Sequence, residues 1–123
     1  MAVKYGVNDA DSYIQLGNVY TQLESMTKAI EAYKKVLELD PDCVMGHYNL
    51  GSAYHHISML EDAEIHFKAA IEVDGNYADA WFNLGIVHQD SGRLVSALAA
   101  YKKAAALDPG FTEAAEAAAL LQY

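Results

Sequence analysis

Residues 78–109 read ADAWFNLGIVHQDSGRLVSALAAYKKAAALDP. On a helix of about 3.6 residues per turn, Trp81, Leu84, Gly85 and His88 fall within about 100° of one another and form one packing stripe. Ala97, Tyr101 and Ala104 recur three or four apart and form a second. Between the stripes Ser91-Gly92 reads as a turn, because glycine adopts the left-handed backbone that ends a helix. Asp108-Pro109 closes the stretch with a second turn signal. These residues therefore predict two amphipathic helices folded into a hairpin.

The same pattern occurs three times. An offset of 34 brings Leu16-Gly17, Leu50-Gly51 and Leu84-Gly85 into register, each preceded by an amide: Gln15, Asn49 and Asn83. Tyr20, Tyr54 and His88 align after the glycines, then Ala29, Ala63 and Ala97, then Tyr33, Phe67 and Tyr101. The periods close with Asp40-Pro41, Asp74-Gly75 and Asp108-Pro109. A fixed period over three copies is the signature of a stacked array. The expected units are residues 10–43, 44–77 and 78–111, after a short tail at 1–9. Each first helix should pack through Tyr13, Leu16, Gly17 and Tyr20, or their equivalents. Glu24-Ser25 and Ser58-Met59 should make the remaining turns inside the hairpins. Glycine inside a helix costs about 0.5–1 kcal/mol relative to alanine, so its recurrence calls for close helix approach. Residues 112–123 should form a capping helix, with Thr112 as its cap and Glu113 to Gln122 as its body. It is Ala-rich and ends in Leu120, Leu121 and Tyr123. Two readings follow: an end tucked against the preceding helix, or an apolar end that meets another copy or was cut from a longer array.

At 123 residues the chain is sized for one domain, and no apolar run approaches the ~18 residues that cross a bilayer. Met1 to Val7 lack the apolar core of a signal peptide, and Cys43 is the only cysteine. A cytoplasmic address is expected. Eight Lys and Arg against seventeen Asp and Glu leave a net charge of −9, which repels phosphate backbones and anionic lipid. Neither nucleic acid nor a membrane is an expected partner.

The aligned residues resemble the tetratricopeptide repeat, whose pattern is an aromatic, Leu-Gly, Tyr, Ala, an aromatic, Ala and Pro. The third copy matches at Trp81, Leu84, Gly85, Ala97, Tyr101, Ala104 and Pro109, with His88 in the usual tyrosine place. The second departs at His47 and Gly75 and the first at Val36. The resemblance implies an all-α, right-handed superhelical array of three antiparallel helix pairs plus a C-terminal solvating helix. It also implies that the first helices line a concave groove.

Opposite the packing stripe of each first helix lie the residues free to bind. They are Asp11, Ile14, Gln15, Asn18, Thr21 and Gln22; Met45, Tyr48, Asn49, Ser52, His55 and His56; and Asp79, Phe82, Asn83, Ile86, Gln89 and Asp90. No Lys or Arg stands on any first helix, and the basic residues of the repeats gather on the second helices. In heat-shock co-chaperones of this family a clamp of lysines, an arginine and asparagines grips an acidic tail. The aligned places here hold Ile14, Asn18, Asn49, Asp79 and Asn83, so only the two asparagines Asn18 and Asn49 match and an acidic carboxylate tail is disfavoured. The row Gln15, Asn49 and Asn83 is similar to the asparagine ladder of O-linked N-acetylglucosamine transferase. An amide offers both donor and acceptor to a peptide backbone, and Tyr48, Phe82 and Ile86 add apolar contact. The alternative is that asparagine only solvates the helix there.

The expected function is protein–protein interaction: an adaptor or scaffold holding an extended neutral or basic peptide segment. The expected groove comprises Gln15, Asn18, Tyr48, Asn49, Ser52, His55, Asp79, Phe82, Asn83, Ile86 and Asp90. Weak self-association through the apolar C-terminal helix, or service as part of a larger scaffold or enzyme, are the alternatives. His55 and His56 point about 100° apart and make a poor metal pair, whereas His55, on the groove face, is placed to titrate against Asp90 or a ligand carboxylate. Cys43 and His47 lack a third group to orient the imidazole, and no phosphate loop, serine elbow or zinc spacing occurs. No enzyme activity and no cofactor are expected.

Overall fold

The computed structural model describes residues 10–122; the tail at 1–9 and Tyr123 lie outside the described residues. Each hairpin is held by residues that recur at one period. Helix α1 (Ala10–Gln22) pairs with α2 (Met26–Leu39), α3 (Val44–His56) with α4 (Leu60–Val73), and α5 (Ala78–Asp90) with α6 (Leu94–Leu107). Helix α7 (Thr112–Leu121) packs on α6, and α2 and α4 pack in turn on α3 and α5. The described residues contain seven helices and no strand, and they form an all-α superhelical repeat array.

Small residues set the spacing. Ala29, Ala63 and Ala97 are fully buried at equivalent places, as are Val36, Ala70 and Ala104. Between them Tyr33, Phe67 and Tyr101 press ring atoms against the glycines of the facing helix. A Cβ on Gly85 would stand 2.6 Å from Tyr101 Cε1, so the aromatic ring needs a bare backbone opposite it.

The turns inside the hairpins share one geometry. Glu24, Ser58 and Gly92 all have positive φ, at 61°, 65° and 82°. The following amides of Ser25, Met59 and Arg93 donate to Tyr20, Tyr54 and His88 carbonyls at 2.8, 2.9 and 2.8 Å. This is the Schellman ending, and it satisfies carbonyls that the helix leaves unpaired. Between hairpins the aspartates accept locally: Asp74 Oδ1 from Asn76 N–H at 3.1 Å and Asp108 Oδ1 from Gly110 N–H at 3.2 Å.

Two expectations need correction. Leu16 lies on the predicted packing stripe yet is 41% exposed, while its equivalents Leu50 and Leu84 are buried. Among the described residues no second helix precedes α1, so Tyr13, Leu16 and Tyr20 instead line an open cleft of about 250 Å³ with Lys28 and Lys35. Thr112 does not cap α7 either. Phe111 occupies the cap position without a side-chain hydrogen bond, and the Thr112 hydroxyl, already inside the helix, donates to Gly110 O at 3.4 Å. Ala114, Ala118 and Leu121 face α6, whereas Leu120 is 75% exposed.

His47, His66 and His88 serve packing. His47 Nδ1 lies 3.2 Å from His66 Nδ1, with the rings stacked at 5.4 Å, and His47 Nε2 donates to Pro41 O at 2.9 Å. His88 is buried and accepts from Arg93 Nε at 3.3 Å, while Arg93 also pairs with Glu64.

Candidate functional site

Helices α1, α3 and α5 turn their unpacked faces to one side, where two distinct stations form. The first is a hollow of about 230 Å³ between the first two hairpins, lined by Asn18, Thr21, Tyr33, Asn49, Ser52 and His56 among others. Tyr33 crosses beneath Gly17, and its hydroxyl emerges into the hollow to donate to Asn18 Oδ1 at 2.6 Å. Thr21 Oγ1 stands 3.3 Å from the same hydroxyl and donates to Gly17 O at 2.9 Å. Burial pushes the Tyr33 phenol above its ordinary range, against the opposing pull of Thr21, so it stays a neutral donor. Asn49 Nδ2 is buried beside this hollow, and it has no hydrogen-bond partner among the described residues.

The second station is aromatic. Tyr48 meets Phe67 edge to face at 5.7 Å and Tyr77 at 5.1 Å. One period later Phe82 meets Tyr101 at 5.6 Å and Phe111 at 4.9 Å. Tyr77 also donates to Met45 Sδ at 3.5 Å. Asn83 is occupied here: its Nδ2 donates to the Tyr48 hydroxyl at 2.9 Å and to Asp79 O at 2.8 Å. Burial raises the Tyr48 phenol, and the Asp79 carboxylate adds to the effect. Tyr77 is pushed up to about 12, first by burial, then by Tyr48, Asp79 and Asp74. The Asp79 carboxylate itself is exposed.

The other expected residues sit around these stations. His55 Nε2 lies 2.8 Å from Asp90 Oδ2, bridging α3 and α5. Gln15 is exposed, Ser52 lines the hollow, and Ile86 packs half-buried beside Phe82 against the core of α6 and α7. Tyr77, Phe111 and the Tyr33 hydroxyl are groove features that the sequence reading missed. The same offset of 34 that aligns the glycines aligns Cys43, Tyr77 and Phe111, and would have flagged the two aromatics. Among the described residues no group of three or more His, Cys, Asp or Glu converges to hold a metal, and no helix is long and apolar enough to cross a membrane.

The TPR repeat pattern matches residues 17–57, and the tetratricopeptide repeat pattern matches 46–77 and 78–111. No curated protein matches. Two solved structures of MamA are each 32% identical to this chain. One superposes with a TM-score of 0.89 over 98% of this chain and 70% of that one, the other with 0.87 over 97% and 65%. The first TPR of Spaghetti (RPAP3), bound to the HSP90 peptide SRMEEVD, is 23% identical with a TM-score of 0.89 over 95% of this chain and 96% of that one, a likeness of fold. With helix pairs, turns and groove all set out on a 34-residue period and the repeat pattern matched in three places, the chain belongs to the tetratricopeptide repeat family, whose members serve in protein–protein interaction.

Proposed function

We propose that this chain is an adaptor or scaffold that holds an extended neutral or basic segment of a partner protein across α1, α3 and α5. The observation that carries the reading is the Asn49 amide, whose nitrogen is buried without an acceptor on a residue that lines the hollow between the first two hairpins. A buried donor left unpaired costs about 1–3 kcal/mol, and a ligand carbonyl entering the hollow supplies the missing acceptor. Peptide carbonyls recur along any extended chain, so this contact selects for extension rather than for side chains. Asn83, at the equivalent place, has both donors engaged within the protein, so Asn49 is the amide that reads the ligand. An acidic segment such as SRMEEVD finds no Lys or Arg on these three helices and meets Asp79 instead.

The test uses peptides selected from an unbiased library on the pure protein. Asn49→Ala should weaken them about three- to tenfold, the equivalent of roughly 1 kcal/mol, with the melting temperature unchanged or raised. Equal affinity for wild type and Asn49→Ala would remove the hollow from the binding site.

A further inference from the structure

We propose that the aromatic station is a subsite for one basic side chain, Lys or Arg, of the bound segment, its cation lying between the Asp79 carboxylate and the faces of Tyr48 and Tyr77. The inference rests on the reading of the groove as a peptide site and adds to it the chemistry of a single ligand position.

Three observations converge. Asp79 is exposed at the start of α5, and no ion pair to it forms among the described residues, in contrast to Asp90, which has His55, and Glu64, which has Lys68 and Arg93. Its field reaches both phenols, Tyr48 and Tyr77, so carboxylate and rings share one neighbourhood. Both rings are half-buried: packed on one side at 5.7 Å (Tyr48 on Phe67) and on each other at 5.1 Å, with part of their surface left to solvent. A tyrosine face attracts a cation through its quadrupole, and a carboxylate beside it adds charge complementarity. Among the described residues every Lys and Arg that could compete stands on or at the start of a second helix.

An acid in the first turn also complements the helix dipole, which accounts for Asp79 alone. That role makes no demand for two tyrosines beside it. The equivalent place in α3 holds Met45 and the first aromatic pair has no counterpart at Ile14 and Cys43, so acid and tyrosines coincide at this one junction. The long apolar stem of Lys or Arg suits Met45, which touches the Tyr77 hydroxyl through its sulfur and is 44% exposed.

The experiment uses three pools of acetylated, amidated heptapeptides whose outer six positions are drawn from uncharged residues and whose centre is Lys, norleucine or Glu. Wild type should prefer the Lys pool to the norleucine pool by about five- to tenfold, with the Glu pool weakest. Asp79→Asn keeps the backbone carbonyl that Asn83 uses and should abolish most of that preference while leaving the norleucine pool unchanged. Asn49→Ala should weaken the Lys and norleucine pools equally. If wild type binds Lys and norleucine pools alike, or Asp79→Asn retains the preference, the subsite is wrong while the groove reading survives through Asn49→Ala. If no pool binds wild type, both fail.

Discussion

A methyl group at position 85 would stand 2.6 Å from Tyr101 Cε1 and 2.7 Å from its Cδ1, whereas at position 51 the nearest ring atoms of Phe67 lie 3.0 Å away. The aromatic at each site is nearly fully buried, so it has nowhere to retreat. Gly85→Ala should therefore destabilise the array by about 1–3 kcal/mol and Gly51→Ala by less, read from urea unfolding midpoints. Equal losses at the two sites would show that ring clearance is not what the glycines provide. The recurrence of these glycines was legible in one dimension. The different fates of Asn49 and Asn83 were not, because the two occupy equivalent places and only Asn83 has the Tyr48 hydroxyl within 2.9 Å. The place that would serve Asn49, one period before Tyr48, holds Ile14, which has no hydroxyl to accept the bond.

The elements end by backbone geometry more than by side-chain caps. Ser25, Met59 and Arg93 precede the second helices without a side-chain cap bond, and the left-handed residue before each carries the turn. Only Gly92 of the three left-handed residues lacks a Cβ, and nothing lies within 4 Å of where one would stand. A left-handed non-glycine residue costs roughly 1–2 kcal/mol, partly offset by the chain entropy that glycine loses on folding. Ser58→Gly should thus raise stability by about 0.5–1 kcal/mol, and Gly92→Ala should lower it by about 1 kcal/mol. Thermal unfolding checks both, and a Ser58→Gly protein less stable than wild type would count against the geometry. Sequence reading located these turns from Glu24-Ser25, Ser58-Met59 and Ser91-Gly92 but could not tell that all three use one motif. At the last helix it chose Thr112 as cap from residue type, while the turn through Asp108 and Gly110 starts the helix one residue earlier.

Across the whole array, two histidines sit between helices in the neutral form. Burial lowers the His88 pKa first, with Glu64 opposing and Arg93 and Lys68 adding to the fall; burial also leads at His66, with His47 and Lys34 adding and Asp62 opposing. Each folded pKa therefore lies below the unfolded value of about 6.5, so between the two the unfolded chain binds more protons. Their contribution to stability is complete above about pH 6.5 and is lost as pH falls through the folded values. The melting temperature should drop between pH 7.5 and 5.5, and His88→Tyr should shrink the drop by removing one of the two groups. A flat profile over that range, or an undiminished drop in the variant, would contradict this account.

The period, the faces of the helices and the absence of cations on the first helices are all one-dimensional facts. They follow from spacing, because a helix converts intervals of three and four into a face and a repeat of 34 into a stack. Leu16 shows where spacing stops: it matches Leu50 and Leu84 in sequence yet stays exposed, since burial needs a neighbour and α1 begins the described stack. The free donor on Asn49, the occupied one on Asn83 and the meeting of Tyr48, Tyr77 and Asp79 arise only when helices from successive hairpins pack. Hydrogen-bond partners and shared fields depend on distances of a few ångströms between residues some thirty apart in the chain, and local pattern carries no record of those distances.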